Sequence, residues 1–199
     1  MALTKSDETV LYAIASTASN SVSVGSALDV SSYYACLLRI RVGRGTGTAF
    51  TTAPIIRIEG TAESGGAQTA NQWTVLAQFQ TNVGASIGAQ AVSGTEAAGQ
   101  TVVTLAAGTN FGGGDYVFFE NGTLANSEFS RVVSIATADL TLEEGLVNAQ
   151  TGGNCRDQAE QFQCSLELLG INRLRVVVDG RATGQAVIVE VMGGFCSAL

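Results

Sequence analysis

Apolar and polar residues alternate with a period of two along most of this chain. Tyr34, Cys36, Leu38, Ile40 and Val42 fall on one side of a segment whose other side carries Arg39 and Arg41. Ile56 and Ile58 alternate with Arg57 and Glu59, and Trp73, Val75, Ala77 and Phe79 with Thr74, Gln78 and Gln80. Toward the C-terminus, Phe162, Cys164, Leu166 and Leu168 oppose Gln161, Gln163, Ser165 and Glu167. Leu174, Val176 and Val178 oppose Arg173, Arg175 and Asp179, and Val187, Val189 and Val191 flank Glu190. A period of two sorts the two classes of side chain onto opposite faces of a pleated strand. Clean alternation marks antiparallel sheets with one solvated face. Helical spacing is weak, with at most a turn or two over residues 156–163. The only proline, Pro54, opens a strand, where its missing N–H is tolerated, and 24 glycines fit a fold with many turns. The expected fold is all-β, an antiparallel β-sandwich or jelly-roll-like domain.

The pattern changes in the middle. Residues 83–100 are small or polar and read as a long connection; short strands are expected over 101–105, 115–120, 129–135 and 140–143, before a soft stretch at 148–154. This predicts a small β-barrel-like subdomain, residues 83–154, inserted into a sandwich made of residues 1–82 and 155–199. One continuous β domain with an elaborate loop is the alternative. Phe118 and Phe119 put apolar groups on both faces of one strand, which means barrel packing or a protein interface, and the interface is favoured. Of the adjacent Tyr33 and Tyr34 one ring must point outward, and Tyr33 is the expected one. Trp73, in phase with Val75 and Phe79, is expected in the core rather than as a sugar-stacking platform.

Composition narrows the function classes. A chain of 199 residues buries roughly 70% of its unfolded surface and needs no metal or disulfide to fold. Charged residues are only 14%, against about 25% in ordinary soluble domains, so much of the surface is expected to face other protein copies. Net charge is −7, and Lys5 is the only lysine among ten basic residues, which form no cluster; no nucleic-acid partner is expected. No apolar run approaches the ~20 residues of a membrane-spanning helix. The first eight residues lack the charged and apolar segments of a Sec signal, so synthesis in a host cytoplasm is expected. That compartment favours free thiols at Cys36, Cys155, Cys164 and Cys196. The alternative is one or two bridges, with Cys155 and Cys164, nine positions apart, closing a small loop.

Candidate chemistry is sparse. The chain contains no histidine, which removes Ser-His-Asp and Cys-His machinery and the commonest metal ligand. No cysteine spacing is that of a zinc site. Glu143 with Glu144, Asp157 with Glu160, and Asp115 with Glu120 are carboxylate pairs that glycoside hydrolysis would need, but each is expected to be a solvated turn or edge charge. Gly43-Arg44-Gly45-Thr46-Gly47 lacks the Lys-Ser/Thr of a phosphate loop and is expected to be a hairpin loop. Gly112-Gly113-Gly114 marks a tight approach to a strand. Asn121-Gly122-Thr123 fits a hairpin turn better than a glycosylation site, and a calcium ion at Asp115, Glu120 or Asn121 would lack any EF-hand spacing. No catalytic residue, cofactor or metal is expected, and no enzyme.

Gly114-Asp115-Tyr116-Val117-Phe118-Phe119, followed by Arg131-Val132-Val133-Ser134-Ile135 and Leu140-Thr141-Leu142-Glu143, resembles the small β modules of tailed-phage virion proteins. Residues 10–15, Leu37-Leu38-Arg39-Ile40-Arg41-Val42 and residues 173–178 are similar to strands of phage capsid decoration, or cement, proteins. The resemblance covers about two thirds of the chain. It implies a protein on the capsid surface that bridges major capsid subunits, as a homo-oligomer and most often a trimer. A tail, head–tail connector, baseplate or fibre component is the alternative, and a carbohydrate- or receptor-binding module the third. The candidate interface residues are Met1, Ala2, Leu3, Thr4 and Lys5 of a polar arm, with Tyr33, Phe118 and Phe119. The arm is expected to join neighbouring copies by strand addition or arm exchange. Deleting residues 1–8 should therefore weaken particle assembly and shell binding, measured by co-sedimentation with capsids; unchanged binding would refute the arm.

Overall fold

The structure is a computed structural model and describes residues 3–45, 48–65, 69, 72–83 and 89–198. The first stretch holds β1 (Leu3–Lys5), β2 (Thr9–Thr17), β3 (Val22–Val24), β4 (Leu28–Asp29), β5 (Ala35–Arg44), β6 (Ile55–Thr61) and β7 (Thr74–Gln80). The middle holds β8 (Ala89–Ala91), β9 (Thr95–Glu96), β10 (Val102–Thr104), β11 (Tyr116–Glu120), β12 (Glu128–Ala136), β13 (Asp139–Leu142) and β14 (Gln150–Thr151). The chain closes with β15 (Asn154–Glu167), β16 (Arg173–Asp179) and β17 (Val187–Ala198). The protein is all-β, and among the described residues every pairing of these strands is antiparallel.

A ten-stranded sheet runs β1-β17-β5-β15-β11-β12-β13-β10, with β2 also on β17 and β8 also on β15. A five-stranded sheet runs β3-β16-β6-β7, with β4 also on β16. The inward residues of the alternating segments meet between the two sheets. Leu38, Ile40, Ile56, Ile58, Leu174, Val176, Val178, Val187, Val189 and Val191 are buried there, with Phe162, Cys164 and Leu166 packed against them. The far part of the long sheet closes on a second cluster, which includes Val103, Leu105, Val117, Phe119, Val132, Leu140, Leu142 and Cys155. A third, small cluster of Phe118, Phe129, Ala159 and Ile188 lies between these parts.

Several expectations are corrected. Residues 156–163 are strand, not helix: they lie inside β15. Their poor periodicity has a local cause. Tyr116 pairs with Ala159 but Phe118 with Arg156, so β15 carries one extra residue there, and Gln158 takes a positive φ of 57°. This β-bulge reverses which parity faces inward. Cys155 and Asp157 are buried before it, whereas Phe162, Cys164 and Leu166 face the main core after it. The connection over residues 83–100 contains β8 and β9, and β14 falls in the soft stretch. Asn121 and Gly122 do not make a two-residue hairpin; they start a longer loop with a 3-10 turn at Leu124–Asn126. Gly43 and Arg44 belong to the end of β5, while Thr46 and Gly47 lie outside the described residues.

Gly43 has a packing reason. A Cβ added there would come within 3.0 Å of a Phe129 ring carbon and 3.4 Å of the Phe118 Cβ. The two rings sit 4.9 Å apart between centroids and tilt at 45°. The hairpin β11–β12 thus docks on the main sheet over a bare stretch of backbone. Gly43→Val is expected to cost about 1–3 kcal/mol by overpacking, and Phe129→Ala about 3–5 kcal/mol by leaving a cavity. Midpoints of urea unfolding check both.

Candidate functional site

The expected site residues do not converge. Met1 and Ala2 lie outside the described residues. Leu3, Thr4 and Lys5 form β1, whose register against β17 is Leu3 to Ala198, Thr4 to Ser197 and Lys5 to Cys196. Tyr33 is not the outward ring: it stacks 5.0 Å from Phe195, and Tyr34 is the exposed one. Phe118 and Phe119 are buried inside this chain, one in each of two clusters, so the strand is covered on both faces by its own fold and is not an interface. Trp73 is not core. A bulge between β6 and β7 at Ile58/Glu59 shifts the phase, so Leu76 packs on the core while Val75 is exposed and Trp73 lies under the Arg175 guanidinium.

The cysteines are all free. Cys155 and Cys164 stand on the same continuous strand, nine positions apart. At ~3.3 Å per residue that is roughly 30 Å, far beyond the ~7 Å between Cα atoms that a disulfide spans. Burial pushes the Cys36 thiol up to about 12 and the Cys155 thiol up as well. Thiols held protonated in this way are poor nucleophiles.

Of the carboxylate pairs, Asp115 and Glu120 are engaged by different partners. Glu120 is held by Arg156, and Asp115 accepts a hydrogen bond from the Gly112 N–H at 2.7 Å. Asn121 donates to the Ala149 carbonyl. Among the described residues no group of three or more acidic, Cys or His side chains is placed to hold a metal ion. No helix among them is long and apolar enough to cross a membrane.

A trough of about 910 Å³ runs across the outer face of the long sheet. Its floor comes from the out-of-phase residues of the central strands: Arg39 and Arg41 on β5, Gln161 and Gln163 on β15, Glu190 and Met192 on β17. Leu124, Phe129 and Arg131 build one wall, and a second hollow of about 480 Å³ continues it past Leu37 and Gly194. The floor is laced with ion pairs, Arg39 with Glu8 at 2.6 Å and Arg41 with Glu190 at 3.2 Å. Arg41 Nε also donates to Gln161 Oε1, and Gln161 Nε2 to the Tyr116 hydroxyl. Burial raises the Glu190 carboxyl pKa, opposed by Arg41. The alternation marks these residues as outward-facing, but not as meeting in one hollow, because only the β11–β12 hairpin folding over the sheet end creates its wall. The hollow offers paired charges and amide groups suited to hydrogen-bonding a docked surface.

A second polar cluster, missed as chemistry, sits at the bulge. Asp157 is buried, and its Oδ2 has no hydrogen-bond partner. Around it stand Arg44, Asp115, Cys155 and Glu160. Glu160 accepts the Asn82 N–H at 2.9 Å, and Arg44 lies 4.9 Å from the Phe50 ring centre. The cluster joins the segment leaving β7 to the strand returning as β15. Burial and Asp115 push the Asp157 carboxyl up to about 6 against the pull of Arg44, and burial raises Glu160 too. An acid with a raised folded pKa contributes stability below its unfolded pKa and loses it as pH climbs through the folded value. Asp157→Asn should therefore stabilise the chain by about 1–2 kcal/mol at pH 7, with the gain vanishing near pH 4. Urea unfolding of both proteins across that range checks it.

No family model and no curated protein matches this chain. Among solved structures it is similar to VP17, a capsid protein of bacteriophage P23-77, at 11% sequence identity over 100% of both chains. The TM-score is 0.20, a likeness too slight to carry an argument about fold or function.

Proposed function

We propose that this chain is a phage virion structural protein, a capsid decoration or cement protein that docks on the capsid surface and bridges neighbouring major capsid subunits as a homo-oligomer. The observation that carries the reading is a surface poor in charge and rich in open apolar groups. Among the described residues eleven large apolar side chains are exposed, from Val102 at 44% to Val147 at 77%, on a chain with only 14% charged residues. Single exposed apolar residues are ordinary, but this many with so little charge favours protein contact over free solution. The resemblance of the strand segments to virion β modules supports the same setting. Residues 83–154 serve as an insert that the Phe118–Phe129 contact fastens to the sandwich.

Cementing in this reading is mechanical. Each docked copy buries apolar area at roughly 25 cal/mol per Å², less the cost of association, across a seam that internal DNA pressure pulls open. Particles lacking this protein are expected to release DNA at lower temperature than complete ones, and re-addition of the purified protein should restore the difference. Equal release temperatures, or about a dozen copies at a single vertex in electron micrographs, would refute the cementing role.

A further inference from the structure

Asn121-Gly122 is the only Asn-Gly step in the chain, and it opens the loop between β11 and β12. The loop leaves Gly122 bare. Gly122 is exposed, and a Cβ added there would meet nothing within 4 Å. The chain turns back across it, the Thr123 N–H donating to the Asn121 carbonyl. Among the described residues nothing accepts a hydrogen bond from the Gly122 N–H. An unengaged backbone nitrogen therefore follows a side-chain amide directly, with no side chain of its own to hinder its approach.

Other asparagines with small followers lack this combination. Asn20 and Asn126 precede serines whose N–H groups are tied down. The Ser21 N–H donates to the Ala18 carbonyl at 3.2 Å, and the Ser127 N–H to the Leu124 carbonyl at 3.1 Å. Asn148 precedes Ala149, whose methyl group crowds the approach.

We propose that Asn121 deamidates spontaneously in the folded protein, by ring closure onto Gly122. The Gly122 nitrogen gives up its proton to hydroxide and attacks the Asn121 Cγ. A succinimide ring closes as this C–N bond forms, and the Cγ–Nδ2 bond breaks to release ammonia. Water then opens the ring at either carbonyl, leaving aspartate or isoaspartate at position 121. Neighbouring residues supply both reacting groups, so the slow step is intramolecular. No oxidant, cofactor or enzyme takes part.

The change removes a tie between two loops. Asn121 Nδ2 donates to the Ala149 carbonyl at 2.6 Å. On the same loop, the Glu128 carboxylate accepts the Val147 and Asn148 N–H groups at 2.7 and 3.1 Å. An ionised carboxyl at position 121 has no proton to donate, so it faces the Ala149 carbonyl acceptor to acceptor. The loop that presents Val147 then keeps its hold on Glu128 and loses its hold on β11. This chemistry is independent of the cementing role and holds for the chain alone.

The test follows purified full chain at physiological temperature and mildly alkaline pH, digested at intervals for mass spectrometry. The peptide carrying Asn121 should gain the mass of exchanging NH for O, and an isoaspartate methyltransferase should label it. Conversion should quicken as pH rises and run at least tenfold faster than at Asn20, Asn126 or Asn148. Gly122→Ala should slow it at least tenfold. Asn121→Gln, which keeps an amide and Gly122 but must close a larger ring, should do the same. Asn121→Asp should speed hydrogen exchange over residues 147–150 and leave β5 and β17 unchanged. A folded chain that converts more than tenfold slower than the same chain in urea would overturn the proposal. So would equal rates at the other asparagines, or conversion unaffected by Gly122→Ala. Unchanged exchange in Asn121→Asp would overturn the loss of the tie.

Discussion

The long strand β15 is the constraint from which the rest of the architecture follows. Its residues 160–167 bond to β5, while residues 154–159 bond to β11 and its first three also to β8. One uninterrupted backbone therefore belongs to both hydrophobic clusters, and neither can form its sheet without it. The extra residue at Asp157 and Gln158 lets a single strand serve two interiors whose inward sides are out of phase. A polar cluster at that point is the cost of the changeover. Arg44, Asp157 and Glu160 are drawn out of water because the backbone there must pass from one interior to the next.

The outer faces divide the labour differently from the inner ones. Over the long sheet, cations are neutralised in place: Arg39, Arg41 and Arg131 each have a carboxylate beside them. Over the short sheet, two guanidinium groups lean on one carboxylate and on an indole ring. The exposed Arg131–Glu143 pair contributes little to stability, whereas Arg41–Glu190 and Arg175–Glu59 are largely buried and costly to break. The two faces differ in how their cations are held.

Much of this was legible in the sequence because strand alternation survives any change of partner. The inward set on β5, β16 and the end of β15 follows from period two alone, and so do Arg39, Arg41, Gln161 and Gln163 on the other face. What escaped was set by breaks in that period. Trp73 counts as inward only if β7 pairs without a bulge, and residues 156–163 look patternless only because one residue is added within them. Phe118 and Phe119 show the limit of local reasoning: two-sided apolarity proves burial, but whether the cover comes from the same chain depends on Gly43, seventy-five positions before Phe118, leaving room.

The order of strands in the long sheet also bears on how the chain is made. β5 lies between β15 and β17, and β2 bonds to β17, so the early strands wait for partners translated more than a hundred residues later. Until β15 and β17 have been made, Leu38, Ile40 and Val42 have no sheet to complete. Such a topology, dominated by pairings distant in sequence, folds slowly. The nascent protein therefore depends on keeping its first strands apart from those of its neighbours on the same message.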